Sequence, residues 1–312
     1  MTSLLTLTLN PAVDVSTRTQ RLVPSHKLRC EAVQRHPGGG GINVARVAMR
    51  LGMRVQAVFP AGGSSGGQLQ DLMRAESVPF EALPIEGETR ENFTVLEAGS
   101  GHEFRFVLPG PALTDAQWHA CIDRVLALAD AGSWVVASGS LPPGVPPTAY
   151  GELARELAAR RVPLALDTSG AGLAAGLAAG VHLCKPSLRE LEELRGEALP
   201  DEAAQLRACR DLVERGASAL VALSLGAQGA MLVSREGAWR AAALSVAVAG
   251  TIGAGDSFLG GLLWALDRGD PAPEALAEAM AASAAALLAP GTTLCRPEDV
   301  RRLRPQVVVR SI

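Results

Sequence analysis

The sequence predicts an α/β fold built on a mainly parallel central sheet with helices on both faces. Three observations carry this reading. Short apolar runs alternate with longer segments of helical spacing along most of the 312 residues. The apolar runs are continuous, as in strands buried on both faces. Asp167, Lys185 and Ser224 each close such a run, at the strand ends where open parallel sheets bind ligands.

The elements follow in order. A strand over 4–9 ends at Asn10-Pro11, and a helix over 42–51 stops at Gly52. A strand over 55–59 and a helix over 66–75 come next. The helix over 114–129 starts from Thr114 as N-cap and places Trp118, Ile122, Val125 and Leu126 at helical spacing. Strands at 134–137, 164–166 and 181–184 alternate with helices at 149–160, 188–194 and 202–214. Strands at 220–224, 230–233 and 239–241 precede helices at 257–267 and 273–288.

Two segments break that rhythm. Residues 14–33 mix charged and β-branched side chains. Residues 92–108 read as a hairpin: Phe93 and Val95 alternate with polar neighbours, and Phe104, Phe106 and Leu108 repeat every second residue after the turn Ala98-Gly99-Ser100-Gly101. No linker isolates these segments. We expect one domain over 1–312, with a β lid inserted at about 12–36 and 88–109 that covers an active site, a second subunit or both.

The formal net charge of -3 gives no reason to expect a nucleic-acid or anionic-membrane partner. The Ala-rich runs at 241–249 and 279–289 fall short of the ~20 residues of a membrane span, and the apolar start is too short and uncharged for a signal peptide. The arginines at 301, 302, 304 and 310 read as a solvated helix face. Cys30, Cys121, Cys184, Cys209 and Cys295 are scattered without a C-x-x-C, which suits reduced thiols and a cytoplasmic location. The histidines form no metal-ligand spacing. Of the 29 basic residues only Lys27 and Lys185 are lysine. A lysine that persists against such a bias marks a place that needs a compact ammonium, unless its survival is chance.

The most informative stretch is Thr251-Ile252-Gly253-Ala254-Gly255-Asp256-Ser257, followed by a small, apolar helical run. Glycines at a helix start gather unpaired N–H groups around an anion, and Asp256 in the same turn can orient or deprotonate a nucleophile. The run Pro37-Gly38-Gly39-Gly40-Gly41-Ile42-Asn43 exposes backbone to a close ligand and offers Asn43 to hydroxyls. It is neither a Rossmann fingerprint nor a Walker A loop, and a plain flexible turn is the alternative. Asn10 and Asp14 suit sugar hydroxyls or, alternatively, an Asx turn and helix cap. Lys27, Arg29 and Arg90 are candidate phosphate ligands or a solvated surface. The loop Ser138-Gly139-Ser140-Leu141-Pro142-Pro143-Gly144 is suited to a pocket wall. Lys185 and Glu190 could serve nucleotide phosphate and Mg²⁺, although Glu190, Glu192 and Glu193 also make an ordinary acidic patch. The loop from Ser224 through Gly226 suits approach by a nucleotide.

The glycine-rich segment and the G-A-G-D segment occur together and in this order, with Thr6–Asp14, Lys27–Arg29 and Phe59–Gly63 between and around them. On these marks the chain resembles the PfkB carbohydrate kinases of the ribokinase-like superfamily through nearly all of its length. The resemblance implies a three-layer sandwich with a small β lid that also builds a homodimer. It implies Asp256 as catalytic base, with Gly253, Ala254 and Gly255 as anion hole. It places Asp14, Lys27, Gly39, Asn43, Arg90 and Gly139 at a sugar-phosphate site, with Arg29 reaching in from a partner subunit. Lys185, Ser187, Glu190, Ser224 and Gly226 would serve ATP, Glu190 holding Mg²⁺ through water. Gly250, Ile252, Ala286, Pro290 and Gly291 would line a monovalent-cation site suited to K⁺. Where the family has N-x-x-E, this chain has Ser187-Leu188-Arg189-Glu190, so the serine lacks the amide donor.

The activity this implies is ATP-dependent phosphorylation of fructose 6-phosphate at O1. The rivals are 1-phosphofructokinase and tagatose-6-phosphate kinase, whose substrates differ by phosphate position or one hydroxyl. A sensor that binds sugar phosphate without catalysis is the rival from another class, and the intact Asp256 with its glycines argues against it. The usual carboxyl value of about 3.9, lowered further by the helix N-terminus, makes Asp256 a weak base that receives its proton late in the transfer.

Overall fold

The computed structural model describes residues 4–312. Residues 1–3, part of the start read as too short for a leader, lie outside the described residues. The chain opens with β1 (Leu4–Leu7), β2 (Ala12–Thr19), β3 (Gln34–Gly38), α1 (Gly40–Arg50), β4 (Val55–Ala61) and α2 (Gly63–Ala75). Next come β5 (Phe80–Pro84), β6 (Arg90–Glu97), β7 (Glu103–Phe106), α3 (Asp115–Leu128), β8 (Trp134–Ser138) and α4 (Ala149–Ala159). Then follow β9 (Leu164–Asp167), α5 (Gly170–Ala179), β10 (Val181–Cys184), α6 (Leu188–Arg195), α7 (Glu202–Glu214) and β11 (Ser218–Ser224). The chain finishes with β12 (Ala230–Ser234), β13 (Ala238–Ala241), α8 (Ala254–Asp267), α9 (Ala272–Leu287), α10 (Pro297–Leu303) and β14 (Val309–Ser311).

One 10-stranded sheet runs β14-β13-β12-β11-β10-β9-β8-β1-β4-β5. The strands from β11 to β5 are parallel, and β12, β13 and β14 add an antiparallel edge. Neighbouring residues of β1 feed opposite faces. Leu4 joins a core with Ile42 of α1, Leu259 of α8 and Leu276 of α9; Leu5 and Leu7 join another with Trp118 of α3, Leu153 of α4 and Leu212 of α7. This is the three-layer arrangement that the resemblance implies.

Small residues decide how α8 sits. A Cβ on Gly260 would stand 2.6 Å from Val47 Cγ1 of α1, and one on Gly261 would stand 2.8 Å from Ala282 Cβ of α9. Neither spacing is open to a larger residue in a close-packed interior. The glycines therefore let α8 wedge between α1 and α9, which brings Asp256 of one helix start against Asn43 of the other.

The smaller sheet runs β3-β2-β6-β7. β2 pairs antiparallel with β3 and parallel with β6. β6 and β7 form the anticipated hairpin, with Phe93 opposite Phe106 and Val95 opposite Phe104. Phe93, Phe104 and Phe106 are 38%, 39% and 52% exposed, so this face lacks a cover in the single chain. No helix among the described residues is long and apolar enough to cross a membrane.

Several elements differ from expectation. α5 was not anticipated: its sequence GAGLAAGLAA has no polar face and three glycines, and burial of Leu173 and Leu177 outweighs its weak propensity. β5, α10 and β14 are likewise additional. α1 and α8 begin earlier than predicted, at Gly40 and Ala254, so the glycine-rich turns are themselves the first helical turns.

Candidate active site

The loop into α8 turns at Gly253, whose φ of 76° is left-handed. A side chain there would also strike Leu294 Cδ2 at 2.3 Å, so the turn requires glycine. The first N–H groups of α8 have no carbonyl one turn back to bind, which leaves them for an anion. Asp256 lies in this first turn and accepts a 2.8 Å hydrogen bond at Oδ2 from Asn43 Nδ2.

Asp256 keeps part of its surface in solvent, but its carboxyl is ringed by protein. Burial pushes it from 3.8 up to about 6, and the charge on Asp167 adds to the rise; the Asn43 hydrogen bond, Lys185 and Arg105 act against it. This corrects the expectation that the helix N-terminus would leave the carboxyl low. Desolvation outweighs the dipole here, and Asp256 is a better base than its position at a helix start suggests.

Two cavities meet at this carboxylate. The first, of about 310 Å³, is lined by Gly39, Asn43, Arg90, Arg105, Gly139 and Asp256 among others. The second, of about 410 Å³, is lined by Lys185, Ile252, Gly253, Gly255, Arg105 and Asp256 among others. Asp167 and Arg105 belong to both walls. A larger depression of about 530 Å³ beside Gly180 and Ala217 lies at the amino ends of β10 and β11, away from this chemistry.

Of the residues expected at the sugar phosphate, Gly39, Asn43, Arg90 and Gly139 line the first cavity. Arg90 is braced by the carbonyls of Asn10 and Leu108 at 2.8 and 3.0 Å. Asp14 stands behind the glycine run: a Cβ on Gly38 would meet its carboxyl carbon at 2.4 Å. Asn92 Nδ2 donates to Asp14 Oδ1 at 2.9 Å, while Asp14 Oδ2 is buried without a partner, and Asp14 itself lines neither cavity. Asn10 instead donates to Ser140 Oγ at 3.1 Å. Lys27 and Arg29 lie exposed on the connection between β2 and β3, and neither lines either cavity in the single chain.

On the other side, Lys185 Nζ pairs with Asp167 Oδ1 at 3.0 Å. Burial disfavours the ammonium, but the joint field of Asp167, Asp256 and Glu190 outweighs it and holds Lys185 above its usual range. Burial raises Asp167, with Lys185 and the Ser138 hydrogen bond pulling back. Ser187 and Glu190 form a capping box at the start of α6: Ser187 Oγ accepts from Glu190 N at 3.3 Å, and Glu190 Oε2 accepts from Ser187 N at 2.7 Å. The serine hydroxyl is thereby engaged by its own helix, and Glu190 still reaches the first cavity. Ser224 bridges to Ser187 and donates its N–H to Pro186 O at 3.0 Å, and Gly226 follows with open space around it. Neither lines a cavity described above.

Ala249 N donates to Leu287 O at 2.7 Å, which staples the loop before α8 to the end of α9. A Cβ on Gly250 would stand 3.0 Å from Ala289 O and 3.2 Å from Gly291 N, so Gly250, Pro290 and Gly291 are neighbours. Ala286 is buried in α9 and its carbonyl accepts from Ala289 N at 3.1 Å.

Sequence reasoning missed Arg105, Asn92 and Glu103. Glu103 Oε2 accepts from Thr251 Oγ1 at 3.0 Å and from Thr251 N at 3.4 Å, which ties the lid to the anion turn. A signal for Arg105 was present. In EFRF the phenylalanines take one face of the strand, so the arginine between them takes the other.

The model of the pfkB family of carbohydrate kinases matches residues 7–299. The chain belongs to the pfkB family. This pfkB kinase is 44% identical over 299 residues to ATP-dependent 6-phosphofructokinase isozyme 2 of Mycobacterium tuberculosis, covering 96% of this chain and 88% of that protein. It is 35% identical over 310 residues to 1-phosphofructokinase of Xanthomonas campestris, covering 97% and 94%. Among solved structures, phosphofructokinase-2 from Escherichia coli in complex with fructose-6-phosphate superposes with a TM-score of 0.92 at 35% identity, over 98% of this chain and 99% of that one. The E. coli protein has also been solved in complex with potassium and in a tetrameric inhibited form.

Proposed function

We propose that the chain transfers the γ-phosphoryl group of ATP to O1 of fructose 6-phosphate, giving fructose 1,6-bisphosphate and ADP. The observation that carries this is the meeting of two cavities at Asp256. The sugar phosphate occupies the side with Arg90, Gly139 and the unpartnered Asp14 oxygen. The nucleotide phosphates occupy the side with Lys185 and the anion turn. O1 then lies between Asp256 and the γ-phosphorus. As the new O–P bond forms and the bond to the ADP oxygen breaks, the O1 proton passes to Asp256.

The N–H groups of 253–255 and the Lys185 ammonium hold the charge on the phosphoryl oxygens, each hole donor contributing roughly 3 kcal/mol. Glu190 has a carboxyl oxygen outside its capping bond and lines the cavity, which fits a water-mediated Mg²⁺. The ion would supply further neutralisation of phosphate charge. The stapled loop through Gly250 and Ile252, beside Ala286, Pro290 and Gly291, is the candidate K⁺ site. The lid is an inserted element of one kinase domain, and its exposed phenylalanine face pairs with a second copy. That pairing would bring Lys27 and the partner copy's equivalent of Arg29 towards the substrate phosphate. The free cysteines, four of them buried, accord with a cytoplasmic enzyme.

The test is ADP release with fructose 6-phosphate, fructose 1-phosphate, tagatose 6-phosphate, fructose and ribose as acceptors. We expect the highest kcat/KM for fructose 6-phosphate. A preference for fructose 1-phosphate would move the assignment to 1-phosphofructokinase, in line with the Xanthomonas relative. Binding without ADP release for any acceptor would leave a sensor.

A further inference from the structure

Asn43 is gripped from both ends of its amide. Arg46, nearly one turn further along α1, is fully buried. Its Nη1 donates to Asn43 Oδ1 at 3.0 Å and to Pro37 O at 3.0 Å, while Nε and Nη2 donate to Glu76 Oε2 and Oε1 at 2.9 and 2.5 Å. Arg50 Nη2 donates to Glu76 Oε2 at 2.8 Å and completes the cluster. A guanidinium only donates, so the Asn43 atom that faces Arg46 has to be the carbonyl oxygen. The amide must then turn its NH₂ towards Asp256, where it donates at 2.8 Å. A reversed amide would set its NH₂ against the guanidinium, donor facing donor, and its one oxygen against the carboxylate, which repels it.

We propose that Arg46 is a positioning residue for phosphoryl transfer: it fixes the Asn43 amide, and through it holds the Asp256 carboxylate in the orientation that meets the substrate hydroxyl. A buried arginine is a costly way to fill a helix face that apolar residues could pack. Here it supplies a donor in a place where only a donor sets the direction of the amide. The inference rests on Asp256 being the proton acceptor of the reaction proposed above. The other groups that face Asp256 are Asp167 from β9, Lys185 after β10 and Arg105 from β7, with Glu103 and Glu190 on the cavity walls. Arg46 hydrogen-bonds to none of these, so its influence runs through Asn43.

The experiment compares the wild type with Arg46→Met/Glu76→Gln, which removes the donor without leaving Glu76 charged and alone. Glu76→Gln is the control, because it keeps the Arg46–Asn43 contact. ADP release with fructose 6-phosphate is followed from about pH 5.5 to 9. The double variant should lose about 10- to 100-fold in kcat with KM within about threefold, and the acid limb of its kcat profile should move up by about half a pH unit or more. The control should keep the wild-type limb. A folded double variant with wild-type kcat and limb overturns the inference, however much its melting temperature falls. If the double variant does not fold, Arg46→Lys keeps the charge opposite Glu76 but cannot span both contacts; it should show the same upward shift, and an unmoved limb overturns the inference. A wild type that releases no ADP overturns the functional reading, and this inference with it.

Discussion

Lys185 Nζ lies 3.0 Å from Asp167 Oδ1, and the two side chains are only 7% and 15% exposed. One of the chain's two lysines is therefore half of a nearly buried ion pair at the edge of the second cavity. The compact ammonium suits the place: a Cβ on Gly255 would stand 3.6 Å from Nζ, close to the anion turn. An arginine fork would have to enter that turn.

Lys185→Met should weaken ATP binding and also destabilise the fold. Removing one partner of a buried pair costs about 3–5 kcal/mol, because the other charge is left uncompensated. Adding Asp167→Asn should restore much of the stability but not the ATP affinity. Urea unfolding of the two singles and the double makes the comparison; equal stability of wild type and Lys185→Met would show that the pair is solvated in solution.

Asp256→Asn should abolish turnover while both ligands still bind, and more than a tenth of wild-type kcat would rule out the base assignment. The same substitution should raise stability at pH 7.5. The folded carboxyl, at about 6, lies above its unfolded value of about 3.9. The native state then binds more protons between these values, and stability is lost as pH rises through them. The neutral variant escapes this loss, on the order of 1–3 kcal/mol. Melting curves at pH 4 and 7.5 should show the gain only at the higher pH. In the wild type, kcat should fall below about pH 6 as the base becomes protonated.

Arg105→Ala tests a residue shared by both cavity walls. It should lower kcat/KM for fructose 6-phosphate by about 100-fold, as loss of a single charge-stabilising donor does. Steady-state kinetics within twofold of wild type would place the side chain in solvent during turnover.

Phe104→Asp tests the lid. Burying one phenylalanine contributes about 1.5–3 kcal/mol, and the pairing of two lids would cover several such rings. The variant should run as a monomer in light scattering and lose activity in parallel. Lys27→Ala should raise KM for the sugar phosphate but not for unphosphorylated fructose. A fully active Phe104→Asp monomer would exclude a site completed by the partner subunit.

The parallel sheet was legible because its strands are uninterrupted apolar runs, and the hairpin because its phenylalanines alternate. α5 was not legible: Gly170, Gly172 and Gly176 give the segment weak helix propensity, and burial of its own Leu173 and Leu177 makes it a helix. Gly253–Asp256 pointed to an anion turn, but not to the proton affinity of Asp256, which depends on Asp167 and on burial contributed by distant segments. Arg46 gave no chemical signal, since an arginine at a helical spacing from Asn43 is indistinguishable from a surface charge until its burial is known. Lys27 and Arg29 show the reverse: their motif is plain in sequence, and a single chain does not bring them to the cavities.

The Asn43–Asp256 hydrogen bond joins residues 213 positions apart. At roughly 5–20 residues per second, a ribosome that has just finished Asn43 needs about 10–40 s more to reach Asp256. Throughout that time the growing polypeptide carries its glycine-rich half-site without the turn that completes it. A nascent chain stalled anywhere in between holds Asn43 and Arg46 without the carboxylate that their hydrogen-bond chain leads to, so the last part of the message to be read closes a contact opened by one of the first.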